Sequence, residues 1–210
     1  MAGKGGLDLL VQGANWEVLQ TARYANGKWA PNKQLFKSWS FYDFTDVVQN
    51  GRLRPFIEQP TGRDVILEET TRNPDGSWPA PTQMHGLAPV RVASKPTQNH
   101  LAAAVVGTHV RLVHIDTNGR LMHTIEQPNG TWTAPDQVAP GGVYRNDWFP
   151  SLSAASVGGG LQVTAADQIH RTVLHTALGA NGSWVTWSNV LSWTGTPCHF
   201  GEPVPCRPGR

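Results

Sequence analysis

Asn129-Gly130-Thr131-Trp132 is a hairpin turn with a tryptophan two residues past its glycine. The same arrangement stands at Asn26-Gly27-Lys28-Trp29, Asp75-Gly76-Ser77-Trp78 and Asn181-Gly182-Ser183-Trp184. The four tryptophans are 49, 54 and 52 residues apart, so the chain carries a fourfold internal repeat. Asn-Gly and Asp-Gly favour tight hairpins because both residues tolerate positive φ, which matches the twist of paired strands.

The agreement extends beyond the turn. Nine residues before each tryptophan stand Gln20, Glu69, His123 and His175, each followed by threonine: Thr21, Thr70, Thr124 and Thr176. Five residues after it come Gln34, Gln83, Gln137 and Asn189, then the apolar Leu35, Met84, Val138 and Val190. Upstream, a glycine-led strand recurs at Gly6-Leu7-Asp8-Leu9, Gly51-Arg52-Leu53 and Gly160-Leu161-Gln162-Val163, with Val110-Arg111-Leu112-Val113 as a looser copy. Each unit therefore reads as strand, turn, strand, hairpin, strand, with alternation cleanest in Leu161-Gln162-Val163. A further strand precedes three of the units, at Phe41 to Val47, Pro89 to Ala93 and Phe149 to Ala155.

Four antiparallel strands in a repeat of this length describe a β-propeller blade. So small a sheet cannot bury both faces alone, and stacking around an axis solves that. The turn tryptophan opens the outermost strand, where its ring can wedge between neighbouring blades. The expected fold is all-β: a β-propeller built from four repeats of four-stranded antiparallel blades over residues 1–191, with units at 6–35, 36–84, 85–138 and 139–191. The first unit begins at Leu7 with no innermost strand ahead of it. The tail 192–210 carries Pro197, Pro203, Pro205 and Pro208, which makes it a poor central strand. Ring closure stays open between an imperfect ring, a part of a larger propeller and a ring shared by two chains.

Composition excludes several classes. Charged residues are 15% of the chain, the net charge is +2, and the basic residues are scattered. That argues against nucleic-acid binding, which needs a concentrated basic face. No apolar run approaches the ~20 residues of a membrane span, and the longest, Leu101 to Gly107, reads as a strand. Met1 to Gly6 has no apolar signal-peptide core. Cys198 and Cys206 lie in the tail with His199, one ligand short of a typical zinc site, so a local disulfide is the favoured reading. It points to an oxidising, secreted or extracellular setting and a mature or excised chain.

The pattern Gly-Leu-x-Leu, a polar residue with Thr, then Asn/Asp-Gly-x-Trp-x-x-(Pro/Trp)-x-(Gln/Asn)-aliphatic resembles the repeats of the bacterial β-propeller lectins of the Photorhabdus type. Residues 181–190 match it best, and the resemblance spans 6–191. Those lectins have seven blades against four units here, and the second tryptophan of the motif stands only at Trp187, replaced by Asn32, Pro81 and Pro135. The resemblance implies non-catalytic binding of fucose or related sugars in pockets between adjacent blades.

A sugar site needs an aromatic plate for the C–H face of a pyranose and amide, carboxylate or imidazole groups at its rim. The chain has 9 Trp and 8 His to supply them. Trp29, Trp78, Trp132 and Trp184 are read as packing residues, because the repeat itself demands one. Trp39, Trp148, Trp187 and Trp193 fall outside that set and are candidates for an exposed plate, with packing between blades as the alternative. Gln20, Glu69, His123 and His175 are read either as strand polar residues bonding to a neighbouring blade, the favoured reading, or as hydroxyl-binding groups in unequal pockets. The candidate ligand-binding set is thus Trp187, Trp148, Trp39, His123, His175, Glu69 and Gln20. The threonine beside each polar residue is expected for its β propensity.

Catalysis is the rival class. The 15 acids are dispersed, and their spacing brings no pair together for glycoside hydrolysis. Asp75-Gly76-Ser77-Trp78 lacks the sialidase aspartate-box spacing, and no Gly-x-Ser-x-Gly elbow occurs. His109, His114 and Asp116 share a short segment but read as surface polar residues rather than metal ligands. No metal or cofactor is expected. The expected partners are glycans, with a partner protein or a second copy completing the ring as further options. The other class kept open is a protein-interaction or targeting propeller, a scaffold part of a larger secreted toxin or hydrolase assembly.

Overall fold

The computed structural model describes residues 7–13, 17–37, 43–61, 64–87, 101–116, 120–138, 151–167, 172–179 and 181–192. Trp39, Trp148, Trp193 and the tail cysteines Cys198 and Cys206 lie outside them. The described elements are all strands, grouped in four antiparallel sheets that follow chain order. The first holds β1 (Leu7–Gln12), β2 (Glu17–Arg23) and β3 (Lys33–Lys37). The second holds β4 (Asp43–Gln49), β5 (Arg52–Thr61), β6 (Asp64–Glu69) and β7 (Thr82–Gln83). The third holds β8 (Leu101–Val106), β9 (His109–Ile115), β10 (Leu121–Ile125) and β11 (Asp136–Gln137). The fourth holds β12 (Leu152–Val157), β13 (Gly160–Asp167), β14 (Thr172–Leu178) and β15 (Ser188–Ser192).

The first sheet has three described strands, as its start at Leu7 implied. Its outer strand runs to Lys37, two residues beyond the expected unit boundary. The first strand of the third sheet is Leu101–Val106, and the stretch expected for it, Pro89 to Ala93, lies outside the described residues. The reason is visible in the packing. Leu101 and Ala103 pack toward the second unit, whereas Ala102, Ala104 and Val106 pack toward the fourth. A strand covered on both faces carries an unbroken apolar run instead of an alternating one.

The repeated turn is wider than a two-residue hairpin. Gly27, Gly76, Gly130 and Gly182 all take positive φ, between 77° and 86°, but the Asn or Asp before each does not. Instead, the side chains of Asn26, Asp75, Asn129 and Asn181 accept the N–H two residues on, at 2.8–3.0 Å. The backbone closes from Gly27 N to Tyr24 O and from Tyr24 N to Lys28 O, and the other copies repeat this. This is a type I turn followed by a left-handed glycine, in which the Asx side chain replaces a second left-handed residue. The two-residue form with both φ positive occurs at Asn50-Gly51, between β4 and β5.

Each repeat threonine also does more than favour a strand. Thr21, Thr70, Thr124 and Thr176 donate their hydroxyls to the carbonyls of Ala30, Pro79, Thr133 and Val185, each one residue past a turn tryptophan. The threonine thereby ties the tryptophan segment to its own sheet.

The cores lie between consecutive sheets, which gives radial order. Leu10 and Val18 of the first unit meet Leu53 and Ile57 of the second, with Trp78 packed against them. Val47, Phe56, Leu67 and Met84 meet Leu101, Val110, Leu112 and Trp132. Val113, Ile115 and Leu121 meet Leu161, Val163 and Leu178, with Trp184 and Trp187 against them. Trp132 is 4% exposed, whereas Trp29 is 50% exposed. Burying such a ring is the largest single apolar contribution available to a seam.

Candidate functional site

The repeated polar residues Gln20, Glu69 and His123 form a column at the seams between units, and His175 holds the equivalent place in the fourth unit. Within each sheet the column residue pairs diagonally across two strands. Leu10 faces Gln20, Phe56 faces Glu69, Val113 faces His123 and Thr164 faces His175. Two residues before each facing partner stand Asp8, Arg54, Arg111 and Gln162, on the same face of the strand. Gln20 Nε2 donates to Asp8 Oδ1 at 2.9 Å, and Arg54 donates to Glu69. Arg111 Nη1 lies 3.4 Å from His123 Nε2, and His175 Nε2 donates to Gln162 Oε1 at 2.6 Å.

The next unit adds its turn tryptophan to the pair. Trp78 Nε1 donates to Gln20 Oε1 at 3.3 Å, and Trp132 Nε1 donates to Glu69 Oε1 at 3.3 Å. Trp184 meets the His123 ring edge to face at 5.4 Å and 84°. The residue six before that tryptophan adds a fourth group, and its chemistry differs at each seam. Arg72 reaches Asp8 at 3.7 Å, whereas Glu126 clamps Arg54 with two 2.9 Å hydrogen bonds, so the charges of the two seams are swapped. The fourth unit has the apolar Leu178 at this position.

These differences set the electrostatics. Burial opposes the Arg54 charge, but hydrogen bonds and attraction from Glu126 and Glu69 outweigh it, and its pKa rises. Arg54 also lies over the Phe56 ring at 5.5 Å, so the second seam is closed on itself. Burial lowers the Arg111 pKa, opposed by Asp136. Burial likewise lowers His123, against Asp136 and with the Arg111 charge. With Nε2 facing a guanidinium donor, His123 carries its proton on Nδ1 and donates to Asp136 at 3.1 Å.

The first seam opens into a cleft of about 230 Å³. Asp8, Gln20, Lys33 and Arg72 supply polar groups to it, and Tyr24 and Pro31 supply apolar surface. A second cleft, about 460 Å³, lies beside the closed seam between Gln49, Asn50, Thr108, His109, Glu126 and Gln127. Its lining holds the His109 imidazole but no tryptophan, tyrosine or phenylalanine.

Gln20, Glu69 and His123 thus stand at interunit seams, and His175 occupies the equivalent place at the outer side of the fourth unit. Trp187 is half-buried against the core shared by the third and fourth units. Sequence reasoning missed the column Asp8, Arg54, Arg111 and Gln162. Their spacing varies from unit to unit because the strand-to-strand loops differ in length, and the glycine-led alignment put Leu53 where Arg54 belongs.

A carboxylate pair also escaped the spacing argument. Asp43 faces Glu58 across β4 and β5, and both are buried. Asp43 accepts the N–H groups of Phe44 and Leu101 at 2.8 Å. Burial, then the Asp43 charge, pushes the Glu58 pKa well up. Such a pair has no access to a glycosidic bond. The three residues of the short His/Asp segment diverge. His109 Nδ1 donates to Glu126 O at 3.0 Å, Asp116 binds Arg120, and His114 is buried with neither ring nitrogen hydrogen-bonded.

No protein-family model matches the chain, and no curated protein matches it. Among solved structures it is similar to the BP39L lectin from Burkholderia pseudomallei, at 15% identity over 89% of this chain and 52% of that one, with a TM-score of 0.64. It is similar to the fungal Aleuria aurantia lectin, a six-bladed β-propeller with a novel fucose recognition mode, at 14% identity over 89% and 61% of the chains and a TM-score of 0.61. It is also similar to the SapL1 lectin solved with α-methyl fucoside, at 17% identity over 90% and 63%, TM-score 0.61. The chain spans 52% to 63% of the length of these three proteins. At these identities the likeness establishes the fold, a β-propeller.

Proposed function

We propose that this chain is a non-catalytic carbohydrate-binding module that takes fucose-like or related glycans at the seams between its units. The observation that carries this reading is the seam itself. A hydrogen-bonded polar pair meets the tryptophan of the next unit at each internal seam, and the first seam opens into a cleft. A pyranose needs both halves of that arrangement, an aromatic or apolar surface and convergent polar groups. In the first seam Tyr24 is the plate, and Asp8, Gln20, Lys33 and Arg72 bind the hydroxyls. In the second, Glu126 already holds Arg54, so a neutral sugar competes poorly there. In the third, Arg111, His123 and Trp184 form a weaker site, with Trp187 as packing support.

Similarity to lectins with a fucose recognition mode or a bound α-methyl fucoside supports the ligand class. The repeat pattern supports the bacterial, Photorhabdus-type branch of such lectins. A secreted location and a Cys198–Cys206 disulfide belong to the same reading. Titration calorimetry with α-methyl fucoside, backed by a glycan array, tests it. Binding that falls at least tenfold in Tyr24→Ala and Asp8→Asn supports the first seam as the site. Glycan binding unaltered by both substitutions removes that site, and silence across the array removes the lectin reading. The scaffold alternative draws on a separate feature, the apolar surface of the terminal units.

A further inference from the structure

The internal seams share one joint, and among the described residues its two halves stand unmatched in the first and fourth units. The joint is the turn tryptophan of one unit against the polar-column residue of the unit before it: Trp78 on Gln20, Trp132 on Glu69, Trp184 on His123. Trp29 is the same tryptophan in the first unit, and it is 50% exposed. His175 is the same polar residue in the fourth unit, and among the described residues it meets Gln162 but no turn tryptophan.

Burial of the second strand of each unit tells the same story independently. Val110 and Leu112 are fully buried against the second unit, and Leu161 and Val163 are buried against the third. Leu53 is buried against the first. The residues at these positions in the first unit are Leu7 and Leu9, and they are 56% and 40% exposed. Exposed large apolar side chains also concentrate at the two ends. Among the described residues Leu7, Leu9 and Trp29 belong to the first unit, beside Tyr24 of the first cleft, Val157, Val185 and Val190 belong to the fourth, and Val48 alone to the units between. Exposed apolar surface gathered in this way marks a contact.

We propose that the first unit of one copy docks on the fourth unit of a second copy, head to tail, with Trp29 seated against His175. Leu7 and Leu9 then take the places that Val110 and Leu112 fill within the chain. The occupant is a second copy because it carries the matching half of a joint the chain already makes three times. Among the described residues no turn tryptophan meets the Gln162–His175 pair. A contact between two different faces of the same protein is heterologous, and it closes or extends according to the rotation it imposes. It is a packing contact and does not depend on sugar binding.

Sedimentation of the full chain, with mixing of two variants, tests this. The unsubstituted protein is expected to run larger than one chain. Trp29→Ala and His175→Ala are each expected to run as single chains, with circular dichroism unchanged because both side chains are partly exposed. Their equimolar mixture is expected to give a two-chain species, because one intact joint survives, Trp29 of one variant on His175 of the other. Leu9→Lys, on the same open face, is expected to behave like Trp29→Ala. A single-chain mass for the unsubstituted protein overturns the proposal. So does an assembly that survives Trp29→Ala and Leu9→Lys, or a mixture that stays entirely single-chain.

Discussion

The indole N–H of Trp132 donates to Oε1 of Glu69 at 3.3 Å, joining the turn of the third unit to the penultimate strand of the second. The same ring lies edge to face on Phe56 at 5.7 Å, so one residue supplies both the polar and the apolar half of the seam.

That position should therefore dominate stability. Trp132→Ala removes a buried indole and is expected to cost about 3–5 kcal/mol in urea unfolding. Trp29→Ala, measured at concentrations where the protein is a single chain, is expected to cost less than about 1 kcal/mol, since the ring is already half in water. Equal costs at the two positions would contradict a structural distinction between inner and outer seams.

Arg54 is the only cation bonded to both Glu69 and Glu126 among the described residues. Arg54→Met leaves two carboxylates facing each other in a mostly buried seam. The expected cost is about 3–5 kcal/mol by denaturant unfolding, and adding Glu126→Leu recovers the part due to repulsion between the carboxylates while Glu69 stays without its cation. A cost near that of an exposed ion pair, about 0–1 kcal/mol, would show that the cluster is wetter than its burial implies.

His114 sets an acid limb. Burial is the main cause that lowers its pKa from 6.5 to about 4, with Asp116 opposing and His123 assisting. Below pH 6.5 the unfolded chain binds a proton that the folded chain refuses. This part of stability is therefore present above pH 6.5 and is lost as pH falls toward 4. The loss is roughly 3 kcal/mol, and thermal unfolding of His114→Leu is expected to lack it. Parallel pH profiles for the two proteins would show that His114 is hydrated.

Glu58 acts with the opposite sign. Its folded pKa lies well above the unfolded 4.5, so the folded chain holds a proton that the unfolded chain releases as pH rises. That contribution is present below pH 4.5 and declines above it. Relative to the unsubstituted protein, Glu58→Gln is expected to gain stability steadily from pH 4.5 upward. A pH-independent difference would mean that Glu58 ionises normally.

The legible and illegible parts of this fold divide along physical lines. The turn tryptophans stand at a fixed distance from the polar residue and the threonine, because strand, turn and strand leave no room for insertion. Gln20, Glu69, His123 and His175 could therefore be aligned from sequence. Asp8, Arg54, Arg111 and Gln162 could not, because the loops between the second and third strands vary, and a slip of one residue hides Arg54 behind Leu53. The role of Thr124 was hidden for another reason: its partner carbonyl belongs to Thr133, which is marked by position rather than residue type. The strand Leu101–Val106 carries an unbroken apolar run, with its residues packed alternately toward the second and fourth units, whereas β4, also between two units, carries Asp43, Thr45 and Asp46. Nor could sequence foresee that Glu126 locks one seam while Arg72 leaves another open, since that depends on which unit follows which.

The most direct measurement is a crystal structure of the protein soaked with α-methyl fucoside. The expected result is four sheets in radial order, with the sugar in the cleft between Asp8, Gln20, Arg72 and Tyr24. Sheets stacked face to face, or a cleft that stays empty while sugar binds away from every seam, would contradict it.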